Sequence, residues 1–217
     1  MTKRLFSCLF FLIIAFYSFS QKAIDTWTTP EWAKNATIYE VNIRQYTKEG
    51  TFKAFEEEMP RLRKMGVDIL WLMPIYPIGE KGRKGTRGSY YAVKDYRAVN
   101  KEFGSMDDLK HLVKTAHAQG FKIILDWVAN HSAPDNDLVN KHPEWYTHDS
   151  LGHIIPPVPD WSDVSDFNYG QKGLREYQIE SMKYWIKNAD VDGFRCDVAM
   201  MVPLDFWKAC RDRKSVV

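Results

Sequence analysis

The sequence predicts an α/β fold assembled from parallel βα units, and three observations carry that prediction. Short, almost wholly apolar runs recur along the chain at residues 67–73, 122–128 and 193–199. Stretches with helical spacing of apolar residues lie between them. Asp126, Arg195 and Asp197 bring charge toward the C-terminal ends of the last two runs. Strands this apolar are buried on both faces, which favours a parallel sheet covered by helices. Repeated βα units with right-handed crossovers lead either to an open doubly wound sheet or to a (β/α)8 barrel.

The first twenty residues stand apart from that pattern. Lys3 and Arg4 precede an apolar run at 5–16, and Ser18 and Ser20 supply small residues two apart. This is the pattern of a secretory signal peptide, cleaved after Ser20. An uncleaved membrane anchor is the alternative, but the run is short for a ~20-residue span. The expected location is therefore periplasmic or extracellular, with no stable membrane association once residues 1–20 are removed. Removing them leaves 28 basic against 28 acidic residues.

From Gln21 onward the elements come in order. Residues 37–46 are rich in β-branched and aromatic side chains and read as a strand. Residues 52–65 read as a helix, with Phe55, Met59, Leu62 and Met65 near helical spacing, Pro60 as an interruption and Gly66 as the stop. The strand at 67–73 is closed by Pro74, and a loop at 79–88 rich in Gly, Lys and Arg comes next. Ser105 with Asp108 forms a capping box for a helix whose apolar face is Leu109, Leu112, Val113 and Ala116, ended by Gly120. The strand at 122–128 is next. A helix at 174–188 precedes the strand at 193–199, and another helix begins at 203. Residues 129–170 break the rhythm with five prolines and with Trp145, Tyr146 and Trp161. Some forty residues are too many for a plain βα loop, so this segment reads as a small inserted subdomain or lid.

Composition excludes several function classes. With 45% hydrophobic residues the chain is not intrinsically disordered, and a formal charge of +2 without a basic block argues against nucleic acid as a partner. Cys8, Cys196 and Cys210 form neither a disulfide framework nor a zinc pattern. No glycine fingerprint comes after the first strand and no Walker loop occurs, which weakens a nucleotide-binding reading.

A carboxylate inside a buried strand is costly unless it is paired. Arg195 and Asp197 are two residues apart, so their side chains share one side of the strand and a guanidinium stands beside the carboxylate. A carboxylate facing a cleft can act as a nucleophile, whereas the same pair can equally be a structural ion pair.

Four segments then resemble the α-amylase family of glycoside hydrolases. Asp126-Trp-Val-Ala-Asn-His131 resembles that family's Asp-x-x-x-Asn-His stretch, and Gly193-Phe-Arg-Cys-Asp197 resembles its nucleophile strand. Tyr90-Tyr-Ala-Val-Lys-Asp-Tyr96 is similar to the loop after its second strand, and Asp166-Phe-Asn168 to a short stretch near the end of its insertion. The order matches from Thr37 to Asp205. The resemblance implies an incomplete (β/α)8 TIM barrel of about four βα units, residues 21–217, with 129–170 as the inserted subdomain.

It further implies Asp197 as catalytic nucleophile and Arg195 as its orienting partner. His131 would hydrogen-bond a sugar hydroxyl, Asp126 would be an electrostatic member of the site, Tyr91 would stack on the sugar and Asp95 would hold its loop. Asn130 and Asp166 match calcium-binding positions, although calcium takes six to eight oxygens. Tyr90 stands where the family usually has Gly. The implied chemistry is retaining cleavage of α-glucosidic bonds in starch-like or maltodextrin substrates, in which two carboxyl groups act about 5–5.5 Å apart. The second carboxyl is a Glu after the fifth strand, beyond Val217, so the 217-residue chain is expected to be a fragment without activity of its own. A transglycosylase or isomerase of the same family, or a catalytically dead binding protein, are the alternative readings.

Overall fold

A computed structural model describes residues 28–212. The predicted signal peptide and Cys8 lie outside them. The chain divides into two compact units, residues 1–34 and 35–217. The described part of the first holds a single 3-10 turn, Glu31–Ala33.

The second unit is built on four parallel strands. They are β1 (Ile38–Val41), β2 (Ile69–Leu72), β3 (Lys122–Trp127) and, after the insertion, β6 (Gly193–Cys196), in the spatial order β1-β2-β3-β6. The register pairs Leu72 with Leu125 and Asp126 with Arg195. The helices are α1 (Ile43–Tyr46), α2 (Phe52–Glu56), α3 (Met59–Lys64), α4 (Met106–Ala118), α5 (Asp137–Lys141), α6 (Lys172–Ala189) and α7 (Leu204–Asp212). Val41, Leu70, Leu72, Ile123 and Leu125 are fully buried, in one core with Phe55, Leu62, Leu112 and Trp185 from the helices. These strand residues share one fully buried face, whereas Trp71, Ile124 and Arg195 on the other face are only half-buried, so the burial of both faces expected from the apolar strands is complete on one side only.

Two expectations are corrected. The strand expected over 37–46 ends at Val41, and Ile43–Tyr46 turns into a helix. Asn42, with extended backbone, stands at the N-cap position, and Ile43 and Tyr46 fall i, i+3 on one helical face rather than alternating across a strand. The helix expected over 52–65 is two helices broken at Glu57 and Glu58, and Pro60 falls in the first turn of α3, where its missing N–H costs nothing. The Ser105–Asp108 capping box forms in both directions, and Gly120, at φ +82°, takes the left-handed conformation that suits glycine at a helix end.

Residues 129–170 belong to the same unit as the sheet. They carry a two-stranded antiparallel ladder, β4 (His131–Ser132) with β5 (Ser165–Asp166), together with α5 and a 3-10 turn at Pro143–Trp145. Tyr146, Phe167 and Tyr169 insert into the main core and fasten this segment to it. The Tyr169 hydroxyl donates to the Ala129 carbonyl at 2.8 Å, and the Tyr96 hydroxyl donates to the carbonyls of Val128 and His131.

Candidate active site

The C-terminal ends of β3 and β6 bring three charges together. Arg195 Nη1 donates to Asp126 Oδ1 at 3.0 Å and Oδ2 at 3.1 Å, and to Asp197 Oδ1 at 2.7 Å. One guanidinium thus serves two carboxylates. The β3–β6 register sets Arg195 opposite Asp126, and the two-residue strand period brings Asp197 to the same side as Arg195. Asp197 N–H still donates to the Trp127 carbonyl at 2.9 Å, so the nucleophile candidate sits at the last rung of the ladder. Its Oδ2 makes no hydrogen bond among the described residues. Val198 comes next with φ +38°, a left-handed conformation that β-branched residues rarely adopt and that costs about 1–3 kcal/mol. The strain turns the chain away directly after Asp197.

Asp126 is fully buried. Burial pushes its carboxyl up to about 6, while the Arg195 hydrogen bonds and charge pull it back. Trp71 on β2 adds a donor, Nε1 to Asp126 Oδ2 at 3.1 Å, and its ring lies 4.6 Å from the Arg195 guanidinium carbon. The sequence offered no sign of this double contact, because a Trp within an apolar strand reads as core. The Tyr76 hydroxyl donates to the Asp126 carbonyl at 3.1 Å and fixes the backbone at that point.

Of these residues, Asp197 and Val198 face a cavity of about 480 Å³ that is also lined by Lys84, Ser89, Tyr91, His131, Trp161, Asp163 and Val164. The Tyr91 hydroxyl donates to Asp126 Oδ2 at 3.3 Å, and burial beside the Asp126 and Asp197 carboxylates raises its own pKa well above the ordinary tyrosine value. His131 is nearly fully buried, and burial pushes its imidazole down to about 4 against the pull of Asp197 and Asp163. Its ring meets the Trp161 ring edge-on at 5.6 Å. Tyr91, Asp126, His131, Arg195 and Asp197, all singled out from sequence, therefore converge on one place.

Other expected residues do not line this cavity. Asp95 is exposed and accepts the Arg97 N–H at 2.8 Å, a local turn that holds its own loop. Asn130 and Asp166 flank the β4–β5 ladder, where Asp166 pairs with His131 and the Asn130 carbonyl accepts the Phe167 N–H. Burial raises the Asp166 carboxyl. No group of three or more His, Cys, Asp or Glu suited to a metal occurs among the described residues. Trp145 stacks on His142 at 3.9 Å and Tyr146 is buried against Ser132, leaving Trp161 as the cavity's aromatic from the insertion. Cys196 lies against the core, its thiol pushed up to about 12 by burial. The Tyr90 ring, standing where the family usually has Gly, packs 4.4 Å from the Arg44 guanidinium carbon.

A family profile described as the alpha amylase catalytic domain matches residues 17–151. The chain belongs to the α-amylase family. The crystal structure of an α-amylase from Lactobacillus plantarum is 49% identical and superposes with a TM-score of 0.80, covering 82% of this chain and 42% of that one. The α-amylase MalA of Haloarcula japonica is 31% identical over 207 residues, 86% of this chain and 29% of its own length. The α-1,4-glucan:maltose-1-phosphate maltosyltransferase of Myxococcus xanthus is 30% identical over 210 residues, again 86% of this chain and 31% of its own length. The chain thus spans about a third of the curated relatives it matches, and its parallel sheet is part of an α-amylase-type TIM barrel. No helix among the described residues is long and apolar enough to cross a membrane.

Proposed function

We propose that the full-length protein is a retaining glycoside hydrolase that cleaves α-glucosidic bonds in starch-like or maltodextrin substrates. The observation that carries this reading is the Asp197 carboxylate. One oxygen is held by Arg195 at 2.7 Å, and the other is left without a partner beside a cavity with Tyr91, His131 and Trp161 in its wall. A nucleophile needs that combination of fixed orientation and an unengaged lone pair.

In this mechanism Asp197 Oδ2 attacks the anomeric carbon, the glycosidic bond breaks, and a carboxylic acid protonates the departing oxygen. Water then hydrolyses the glycosyl ester, with the same acid acting as base. Tyr91 stacks on the sugar, and neutral His131 hydrogen-bonds it without adding positive charge near an oxocarbenium-like centre. Two carboxylates around one guanidinium leave an excess negative charge that favours that centre. Asp126 is bound by Arg195 and Asp163 pairs with Lys84, so neither is free to act as the acid. In this proposal the acid is the Glu that the resemblance to the α-amylase family implies. A calcium ion at Asn130 and Asp166 would need four or more further oxygens, and no step depends on it. The substrate is an oligo- or polysaccharide met outside the cytoplasm, after removal of residues 1–20.

The similarity to the Myxococcus xanthus maltosyltransferase supports one alternative, in which an acceptor other than water takes the glycosyl group from Asp197. Product analysis with and without added phosphate separates transfer from hydrolysis. The hydrolase reading is tested by Asp197→Asn in the full-length protein. Maltodextrin hydrolysis should fall by about 10⁴-fold or more, with the melting temperature unchanged. Wild-type rates in that variant would overturn the assignment, and saccharide binding without turnover in the wild type would mark a non-catalytic binding protein.

A further inference from the structure

Two loops from distant parts of the chain meet beside the catalytic cavity. Lys84, in the Gly- and Lys-rich loop after β2, donates to the Asp160 carbonyl and lies 3.4 Å from Asp163 Oδ1. Asp163 is almost fully buried, so its charge requires a partner, and Lys84 provides one. The backbones also come close. Gly82 has φ +72°, and a Cβ placed there would stand 3.0 Å from the Ser162 carbonyl oxygen, so a larger residue would push the loops apart.

The join has a core of its own. Ile78, Ala92, Ala133 and Val164 form a small apolar cluster separate from the main one, with Tyr90 and Trp161 packed against it. At its base the Gly79 N–H donates to the Ala92 carbonyl at 2.9 Å, and Asp135 accepts the Glu80 N–H at 2.9 Å. The first loop is therefore tied down at both its start and its middle. Lys84, Trp161, Asp163 and Val164 belong to the same cavity wall as His131 and Asp197.

A long glucan cut at an internal bond must leave the cleft on both sides of the nucleophile. On the side of β2 and β3, the ends from which the two loops rise, the joined loops stand as a wall. We infer that this strap closes the cleft there, so that the full-length protein acts on chain ends and short maltooligosaccharides rather than on internal bonds, with the Lys84–Asp163 pair as the specificity-determining contact. The inference rests on the hydrolase reading above and adds the class of substrate.

The experiment compares amylose with maltotetraose in the full-length protein and tracks the loss of iodine staining per reducing end released. The wild type should lose staining slowly per bond cut. Lys84→Ala, at a half-exposed position, should raise the amylose-to-maltotetraose ratio of kcat/KM about tenfold, or about 1.4 kcal/mol of lifted exclusion. Maltotetraose kcat/KM should change by a smaller factor than that for amylose, and Lys84→Arg, which keeps charge and reach, should retain the wild-type ratio. Rapid collapse of staining by the wild type, or an unchanged ratio in Lys84→Ala, would overturn the inference even if the alanine variant were unstable, since the wild-type pattern stands alone. Asp197→Asn run alongside separates the two failures. If it hydrolyses normally the hydrolase reading fails, and if it is inactive while the ratios do not move only the strap inference fails.

Discussion

At the N-terminal end of the sheet Asp192 receives Lys122 Nζ at 2.7 Å and the Ile123 N–H at 2.9 Å, with His117 Nε2 at 2.7 Å. At the C-terminal end Asp126 and Asp197 share the single guanidinium of Arg195. Both clusters join carboxylates to bases across the same pair of strands, β3 and β6. The difference is in saturation. Asp192 has a base, a ring nitrogen and a backbone donor, so it locks the start of β6 to the start of β3 and to α4. Asp197 keeps one oxygen unengaged next to a cavity, and the pair of carboxylates outnumbers its cation. A closed network serves stability, whereas one left short of donors can still bind and react. In barrels of this kind, reactive groups collect on the C-terminal face and stabilising ones on the other.

Removing the shared cation puts the contrast between the two ends under the greatest stress. Arg195→Met should abolish turnover and leave Asp126 buried without a countercharge, a loss of about 3–5 kcal/mol if the carboxylate stays charged. Asp126 can instead keep a proton, since its carboxyl already stands at about 6. A carboxyl raised in the folded state binds protons that the unfolded chain releases, so its contribution to stability falls as pH rises. The variant should therefore be close to wild type in denaturant melts near pH 5 and strongly destabilised near pH 8. An equal loss at both pH values would show that Asp126 does not depend on Arg195.

A second prediction concerns two opposed titrations in one cavity. His131 is held down to about 4 from an ordinary 6.5, so the unfolded chain takes up its proton first and stability drops as pH falls from about 6.5 to 4, by about 3 kcal/mol. Asp126 is raised from 3.8 to about 6, and its effect runs the other way over nearly the same range, also by about 3 kcal/mol. The wild type should thus be nearly flat between pH 4 and 6. His131→Gln removes one arm, and its stability should decline as pH rises through that window. A variant as flat as the wild type would mean that the two groups do not titrate as their burial implies.

The sequence made this face more legible than the walls around it. Asp126, Arg195 and Asp197 stood out because charge inside an apolar strand needs a reason, and the two-residue period placed Arg195 and Asp197 on one side. The capping box at Ser105 was legible for a similar reason, since both of its partners lie within four residues. Trp71 was not legible, because its indole N–H matters only once β2 lies beside β3. Lys84 and Asp163 are separated by almost eighty residues, and no local pattern announces a contact made by folding an insertion back over a loop. The strand expected over 37–46 failed for a related reason. β-branched and aromatic residues suit a strand, but the sheet uses only Ile38–Val41, and tertiary context sets the conformation of residues 43–46.

The mildest of these variants asks whether the two ends of the sheet are independent. Asp192→Asn keeps shape and part of the hydrogen bonding, and removes the charge that faces Lys122 at 2.7 Å. The loss should be about 2 kcal/mol, typical of a hydrogen bond to a charged group, with kcat/KM for maltodextrin unchanged. Asp192 and Arg195 are three residues and roughly 10 Å apart at ~3.3 Å per residue along β6, and their hydrogen-bond partners differ, so their effects should add. The double variant Asp192→Asn/Arg195→Met should lose the sum of the two single losses to within about 0.5 kcal/mol at any one pH. A larger discrepancy would mean that β6 transmits strain from its locked end to its reactive one, and that the distinction between a stabilising end and a reactive end does not hold for this sheet.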